Sequence, residues 1–168
     1  SPEWGITFWA TVTSGATVAS MNSFWSEPEI AYALSHCEPK VLVADRARLA
    51  RVRSGDLAEG MRVIELDSEL AELLDGTTGQ VSTAPIDEDD PAVILYTSGT
   101  TGRSKGAVAS HRSICGAVML SRFSAARAAA TTRAPGATAA IGSKQVALIT
   151  LPLFHASGLY GFVVGQLA

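Results

Sequence analysis

Residues 92–109 read Ala92-Val93-Ile94-Leu95-Tyr96-Thr97-Ser98-Gly99-Thr100-Thr101-Gly102-Arg103-Ser104-Lys105-Gly106-Ala107-Val108-Ala109, an apolar run that passes directly into a loop of hydroxyls, glycines and one lysine. The run has the composition of a buried strand. The loop has the composition a backbone needs to wrap a polyphosphate. Thr97, Ser98, Thr100 and Thr101 supply hydroxyl donors, and Lys105 supplies a full positive charge. Gly99, Gly102 and Gly106 let main-chain N–H groups approach anionic oxygens with no Cβ in the way. Flexible surface loops share this Ser/Thr/Gly bias, so composition alone leaves a bland reading open.

Spacing narrows the choice. A Walker A loop requires G-x-x-x-x-G-K-[ST], and counting from Gly99 puts Ser104 where the second glycine belongs. The dinucleotide fingerprint G-x-G-x-x-G is missing, and no G-x-S-x-G elbow surrounds Ser98 or Ser104. A second segment, Leu151-Pro152-Leu153-Phe154-His155-Ala156-Ser157-Gly158, follows downstream.

Outward from the loop, strand and helix signals alternate. Ser1-Pro2-Glu3 reads as a helix start, with Ile6, Trp9, Ala10 and Thr13 on one face up to Gly15. Val18 to Met21 is expected to be extended. Glu27-Pro28-Glu29 opens a helix with Ile30, Ala33, Leu34 and Cys37 on one side. Lys40–Asp45 reads as a buried strand, 47–52 as a short helix, 62–66 as a strand and 68–75 as a short helix. Residues 76–91 read as an acidic surface connection. Beyond the loop, 106–109 returns beside the first strand, and Ser110 caps a long helix from His111 through Ile114, Ala117 and Val118 into the alanine-rich 125–130. Residues 131–144 read as a mobile insertion, 145–151 as a strand and 156–168 as an apolar helix. The alternation predicts an α/β fold with a largely parallel sheet covered by helices.

At 168 residues, 47% apolar and a net charge of −3, the chain has the bounds of a globular protein with no basic field for nucleic acid. The uncharged stretch Trp4–Ser26 is interrupted too often by Thr, Ser, Gly and Asn for a spanning helix. No signal peptide is recognisable, so the expected compartment is the cytoplasm. Cys37 and Cys115 match no disulfide, zinc or CxxC pattern and read as buried apolar residues. His36 and His111 have no metal-ligand partners at useful spacing.

The stretch T-S-G-T-T-G-x-x-K-G, from Thr97 to Gly106, resembles the phosphate-binding signature of the adenylate-forming superfamily, and 152–158 resembles the P-L-F-H-x-x-G stretch of its acyl-CoA synthetases. The region before the loop is similar as well: Pro2-Glu3-Trp4, Phe8-Trp9-Ala10, Gly15-Ala16, Met21-Asn22, Glu27-Pro28-Glu29-Ile30 and Lys40-Val41-Leu42-Val43. Ser20 and Ser104 depart from prolines usual there.

The resemblance implies part of the large N-terminal domain of a fatty-acyl-CoA synthetase. Residues 1–90 would be the subregion before the phosphate loop, and 91–168 would carry the loop and the P-L-F-H region. It implies that a carboxylic acid is activated with ATP as acyl-AMP and passed to coenzyme A, with magnesium bridging phosphate oxygens. Thr97, Ser98, Gly99, Thr100, Thr101, Gly102 and Lys105 would hold the phosphates, and His155 would stand at the acyl and adenylate pocket. Amino-acid or aryl-acid adenylation is the enzymatic alternative, although amino-acid enzymes usually carry an F-D-x-S-like segment in place of P-L-F-H. A non-catalytic phosphate-binding module or a scaffold remains the other class. The family's adenine site, hinge and C-terminal lysine have no match here, so the 168 residues are expected to be an internal fragment without turnover of its own. A homodimer is possible through truncated apolar faces.

Overall fold

The computed structural model describes residues 1–75, 79, 84–97, 103–132, 148 and 150–164. Helix α1 (Pro2–Thr13) starts with proline in its first turn and stops where Gly15 takes φ +80°, a left-handed C-terminal residue that needs no Cβ. Strand β1 (Val18–Ser20) follows. Helix α2 (Glu27–Cys37) opens on Ser26, whose N–H and hydroxyl both donate to the Glu29 carboxylate, at 2.7 and 2.6 Å. Then come β2 (Val41–Ala44), α3 (Arg46–Leu49), a 3₁₀ turn at Ser54–Asp56, β3 (Arg62–Glu65) and α4 (Glu69–Asp75). Strands β4 (Pro91–Thr97) and β5 (Lys105–Ser110) flank the loop. Helix α5 (His111–Thr132) is the longest described, and α6 (Ala156–Gly158) runs into a π-helical turn, Leu159–Val164.

Two sheets result. β1 runs parallel to β4, with Val18 opposite Val93 and Ser20 opposite Leu95, and β5 runs antiparallel on the other side of β4. β2 and β3 form a separate parallel pair. Two of the three pairings are therefore parallel, as the alternation of elements predicts. The Thr17 hydroxyl, donating to the Pro91 carbonyl at 2.9 Å, fixes the start of β1 against the start of β4.

Each sheet has its own core. Phe8, Val12, Ala92, Val93, Leu95, Ile114 and Leu159 cluster around β4, and Trp25, Ile30, Ala33, Leu34 and Leu42 cluster between α2 and β2. Leu95 and Tyr96 are successive residues of β4, so they point to opposite faces and serve different clusters. Tyr96 meets Trp25 edge to face at 5.3 Å, and its hydroxyl lies 3.0 Å from His36 Nδ1. Burial raises the Tyr96 phenol well above the ordinary tyrosine range, with Cys37 and Tyr32 adding to the effect.

Several expectations need correction. The buried stripe of α1 is Phe8 and Val12, flanked by Trp4 and Trp9, whereas Ile6 is 46% exposed and Ala10 and Thr13 face solvent. Trp4, Phe8 and Val12 satisfy helical spacing as well as the expected set does, and the bulky rings bury more area against β4. β2 buries only Leu42, because its sheet has two strands and leaves Val41 uncovered. Neither cysteine is buried: Cys37 is half-buried and Cys115 is exposed on α5. Residues 131–132 continue α5 rather than starting an insertion. The insertion at 133–144 lies outside the described residues, as does most of the expected strand 145–151, of which 148, 150 and 151 are not in a strand. No described helix is long and apolar enough to cross a membrane.

Candidate functional site

The phosphate-loop reading turns on where β4 and β5 deliver their ends. Thr97 and Lys105 are cross-strand partners, the last pair of the antiparallel ladder, with the Thr97 hydroxyl reaching the Lys105 carbonyl at 3.4 Å. Thr97 and Lys105 therefore form a two-strand neck at the carboxyl end of β4. β1, parallel to β4, ends at the same edge with Ser20. In an open α/β sheet the edge formed by the carboxyl ends of parallel strands is where ligands bind.

A cavity of about 400 Å³ opens there, lined on the polar side by Ser20, Asn22, Glu29, Thr97, Ser104 and His155. Phe24, Trp25, Tyr96 and Phe154 add aromatic walls. Phe24 meets Phe154 edge to face at 6.1 Å while remaining 77% exposed, so its ring stands at the mouth. Arg51 holds this wall from behind, donating to the carbonyls of Trp25 and Ser23 at 3.1 Å each.

His155 belongs to a local device built from the P-L-F-H-x-x-G segment. Its N–H donates to the Pro152 carbonyl at 3.1 Å, and its Nδ1 lies 2.9 Å from the Ser157 hydroxyl and accepts from the Ser157 N–H. With Nδ1 accepting, the ring proton sits on Nε2, which leaves an N–H donor on a ring that lines the cavity. Gly158 makes the turn possible, because a Cβ there would stand 2.7 Å from the Pro152 carbonyl carbon.

The fold thus brings three parts of the sequence expectation together: Thr97 and His155 line one cavity, and Lys105 sits at the loop's neck with its side chain exposed. Ser98, Gly99, Thr100, Thr101 and Gly102 lie outside the described residues. Gly106 has a different role from the one its composition suggests. It pairs with Tyr96 inside β5, and a Cβ there would stand 2.8 Å from Ile94 Cγ2, so the glycine allows close strand packing. Arg103 is exposed, with its guanidinium over the Tyr32 ring at 5.6 Å. No group of described His, Cys, Asp and Glu residues could by itself hold a metal ion.

Sequence reasoning missed Phe24, Trp25 and Glu29 as cavity residues. The available signal was Met21-Asn22 followed by two aromatics before a capping serine, a short stretch with no room for a helix or strand of its own.

Comparison with known proteins gives a consistent result. The profile described as AMP-binding enzyme matches residues 1–168. The chain is 30% identical over 153 residues to the 4-coumarate--CoA ligase-like 3 protein of Arabidopsis thaliana, covering 85% of this chain and 23% of that protein. It is 28% identical over 149 residues to the Peroxisomal OPC-8:0-CoA ligase 1 of the same plant, covering 85% of this chain and 23% of the relative. Among solved structures, ATP-bound MatB from Rhodopseudomonas palustris superposes with a TM-score of 0.72 at 28% identity, over 99% of this chain and 31% of that one. The chain therefore spans about a quarter to a third of the length of the proteins it matches. A profile that matches every residue and a fold shared with solved structures agree: the chain belongs to the AMP-binding enzyme family.

Proposed function

We propose that this chain carries the phosphate-binding and acyl-facing portion of an ATP-dependent acid–thiol ligase, in which a carboxylic acid is activated as its acyl-adenylate and passed to coenzyme A. The observation that carries the reading is the neck of Thr97 and Lys105 opening on the same cavity edge as His155. In this reading Thr97, Ser98, Thr100 and Thr101 donate hydrogen bonds to phosphate oxygens. Gly99 and Gly102 let the backbone close around them, and Lys105 follows the departing pyrophosphate. Each such charge-assisted hydrogen bond contributes about 1.5–3 kcal/mol where charge develops. His155, with its proton on Nε2, donates toward the acyl group or adenylate. Magnesium, when bound, would neutralise phosphate charge. No group of described His, Cys, Asp and Glu residues could by itself hold the ion, so it would rely on the phosphate oxygens themselves, with loop hydroxyls and the one lining carboxylate, Glu29, to help hold it.

The acid is read as apolar and fatty, on the P-L-F-H segment. A second reading, an aryl acid, is favoured by the aromatic walls Phe24, Trp25, Tyr96 and Phe154 and by the 4-coumarate in one relative's name. The deciding experiment expresses the full extent of the natural reading frame and follows pyrophosphate release with fatty, aryl and amino acids, with and without coenzyme A. Acid-dependent release ending in a thioester supports the proposal, and the preferred acid selects between the two readings. Pyrophosphate release that ignores every acid overturns it.

A further inference from the structure

The aromatic wall at Phe24 is held by a residue that does not itself line the cavity. Residues 21–26 carry the chain from β1 to α2, and hydrogen bonds close them from two sides. On one side Asn22 Oδ1 accepts the Phe24 N–H at 2.9 Å, and the Asn22 carbonyl accepts the Trp25 N–H at 3.1 Å. On the other, Arg51 donates from Nη1 to the Trp25 carbonyl and from Nη2 to the Ser23 carbonyl, at 3.1 Å each. The two accepting carbonyls bracket Phe24. Arg46, Arg48 and Arg53 each pair with a carboxylate, whereas half-buried Arg51 makes no ion pair among the described residues. Its charge strengthens both hydrogen bonds, and its planar fork fixes the two carbonyls relative to each other. The Arg51 backbone is anchored in turn: its N–H donates to the Arg48 carbonyl, and the adjacent Val52 packs against the core around Trp25.

The consequence falls on Phe24, whose ring is 77% exposed and meets Phe154 edge to face at the cavity mouth. A loosely held segment would fold so large an apolar ring away from water. This one is bonded on both sides of Phe24 and keeps the ring at the rim. We infer that Arg51 is a positioning residue for acid recognition: by clamping the carbonyls of Ser23 and Trp25 it fixes the rim of Phe24 and Phe154, on which the organic part of the carboxylic acid packs. The inference rests on the proposed function, since that reading puts an acid in this cavity.

The test uses the full natural reading frame and follows pyrophosphate release with whichever acid of a fatty and aryl panel the wild type turns over best. Wild type is compared with Arg51→Met, Arg51→Lys, Phe24→Leu and the double variant Arg51→Met with Phe24→Leu. Loss of a well-placed ring contact predicts a KM for the acid about 3- to 10-fold higher in Arg51→Met and in Phe24→Leu. KM for ATP is predicted to keep its wild-type value. The double variant is predicted to match Phe24→Leu alone, because Arg51 acts through that ring. Arg51→Lys keeps the charge but donates from a single atom, so its KM for the acid is predicted to stay raised. An unchanged KM for the acid in Arg51→Met, a rise shared equally by ATP, or effects that add in the double variant overturn this inference and leave the proposed function standing. A wild-type KM for the acid in Arg51→Lys overturns the clamp as well. Should Arg51→Met fail to fold, Arg51→Lys takes its place in the same comparison with Phe24→Leu. Wild type that releases no pyrophosphate in response to any acid overturns both.

Discussion

Gly106→Ala isolates the contact that lets β4 and β5 pack closely at their neck. The added Cβ would stand 2.8 Å from Ile94 Cγ2 and 3.7 Å from the Tyr96 ring. Carbon atoms pack at about 3.5–4.0 Å, so the shortfall against Ile94 is roughly 1 Å. Ile94 cannot swing the methyl away cheaply, because a β-branched side chain is restricted at χ1 and the branch sits on Cβ itself. Either β4 and β5 separate or Ile94 leaves its rotamer, and overpacking of this kind costs about 1–3 kcal/mol. The companion Ile94→Ala removes the obstructing methyl. Urea unfolding of wild type, both single variants and the double variant gives the cycle. The expected outcome is that Gly106→Ala costs about 1–3 kcal/mol in the native background and less than about 0.5 kcal/mol beside Ile94→Ala. Mg-ATP affinity is expected to fall in Gly106→Ala and to recover in the double variant, because the neck regains its spacing. Equal costs in both backgrounds would refute the steric argument and return Gly106 to the role of a loop glycine.

Gly158→Ala drives a Cβ into the Pro152 carbonyl, which no side-chain rotation relieves. A loss of roughly 3 kcal/mol is expected, read as a melting-temperature drop of several degrees, together with a fall in thioester formation as His155 moves. Glu29 has its carboxyl held below the usual range by the Ser26 hydroxyl and N–H. Its folded pKa lies below its unfolded value, so its contribution is present at neutral pH and is lost as pH falls through the carboxylate range. Glu29→Gln should therefore flatten the acid limb of the stability–pH curve, and acid titration of both forms by circular dichroism checks it. Arg112 pairs with Glu88 at 2.6 Å and Asp89 at 2.7 Å, but all three side chains are more than half exposed. Arg112→Ala should leave the urea-unfolding midpoint almost unchanged, because solvent screens such pairs.

The parts of this fold that were legible in the sequence are those decided within a few residues. Ala92–Leu95 followed by hydroxyls and glycines specifies a buried strand and its loop, and Ser26-Glu27-Pro28-Glu29 specifies a helix start, because capping and turn chemistry act locally. The buried face of α1 was not legible. The helix is uncharged after Glu3 and apolar on more than one side, so periodicity offers two stripes, and only the presence of β4 selects Phe8 and Val12. The same holds for β2, where the run Val41-Leu42-Val43-Ala44 looks fully buried until its sheet proves to have two strands. At the site, Thr97, Lys105 and His155 were singled out by the resemblance of their segments to family motifs, and the fold sets Thr97 and His155 on one cavity with Lys105 paired to Thr97. Ser20 was noticed only as a departure from proline, because its place in the sheet is set by β4, where Leu95 pairs with it from seventy-five positions away.

The account depends on the loop that starts at Thr97 receiving a triphosphate. Amide hydrogen exchange across residues 97–105, with and without Mg-ATP, in wild type and Lys105→Ala, tests this most directly. Slower exchange in the wild-type loop on adding Mg-ATP, lost in Lys105→Ala, is the predicted result. Exchange that ignores Mg-ATP in both proteins would contradict it.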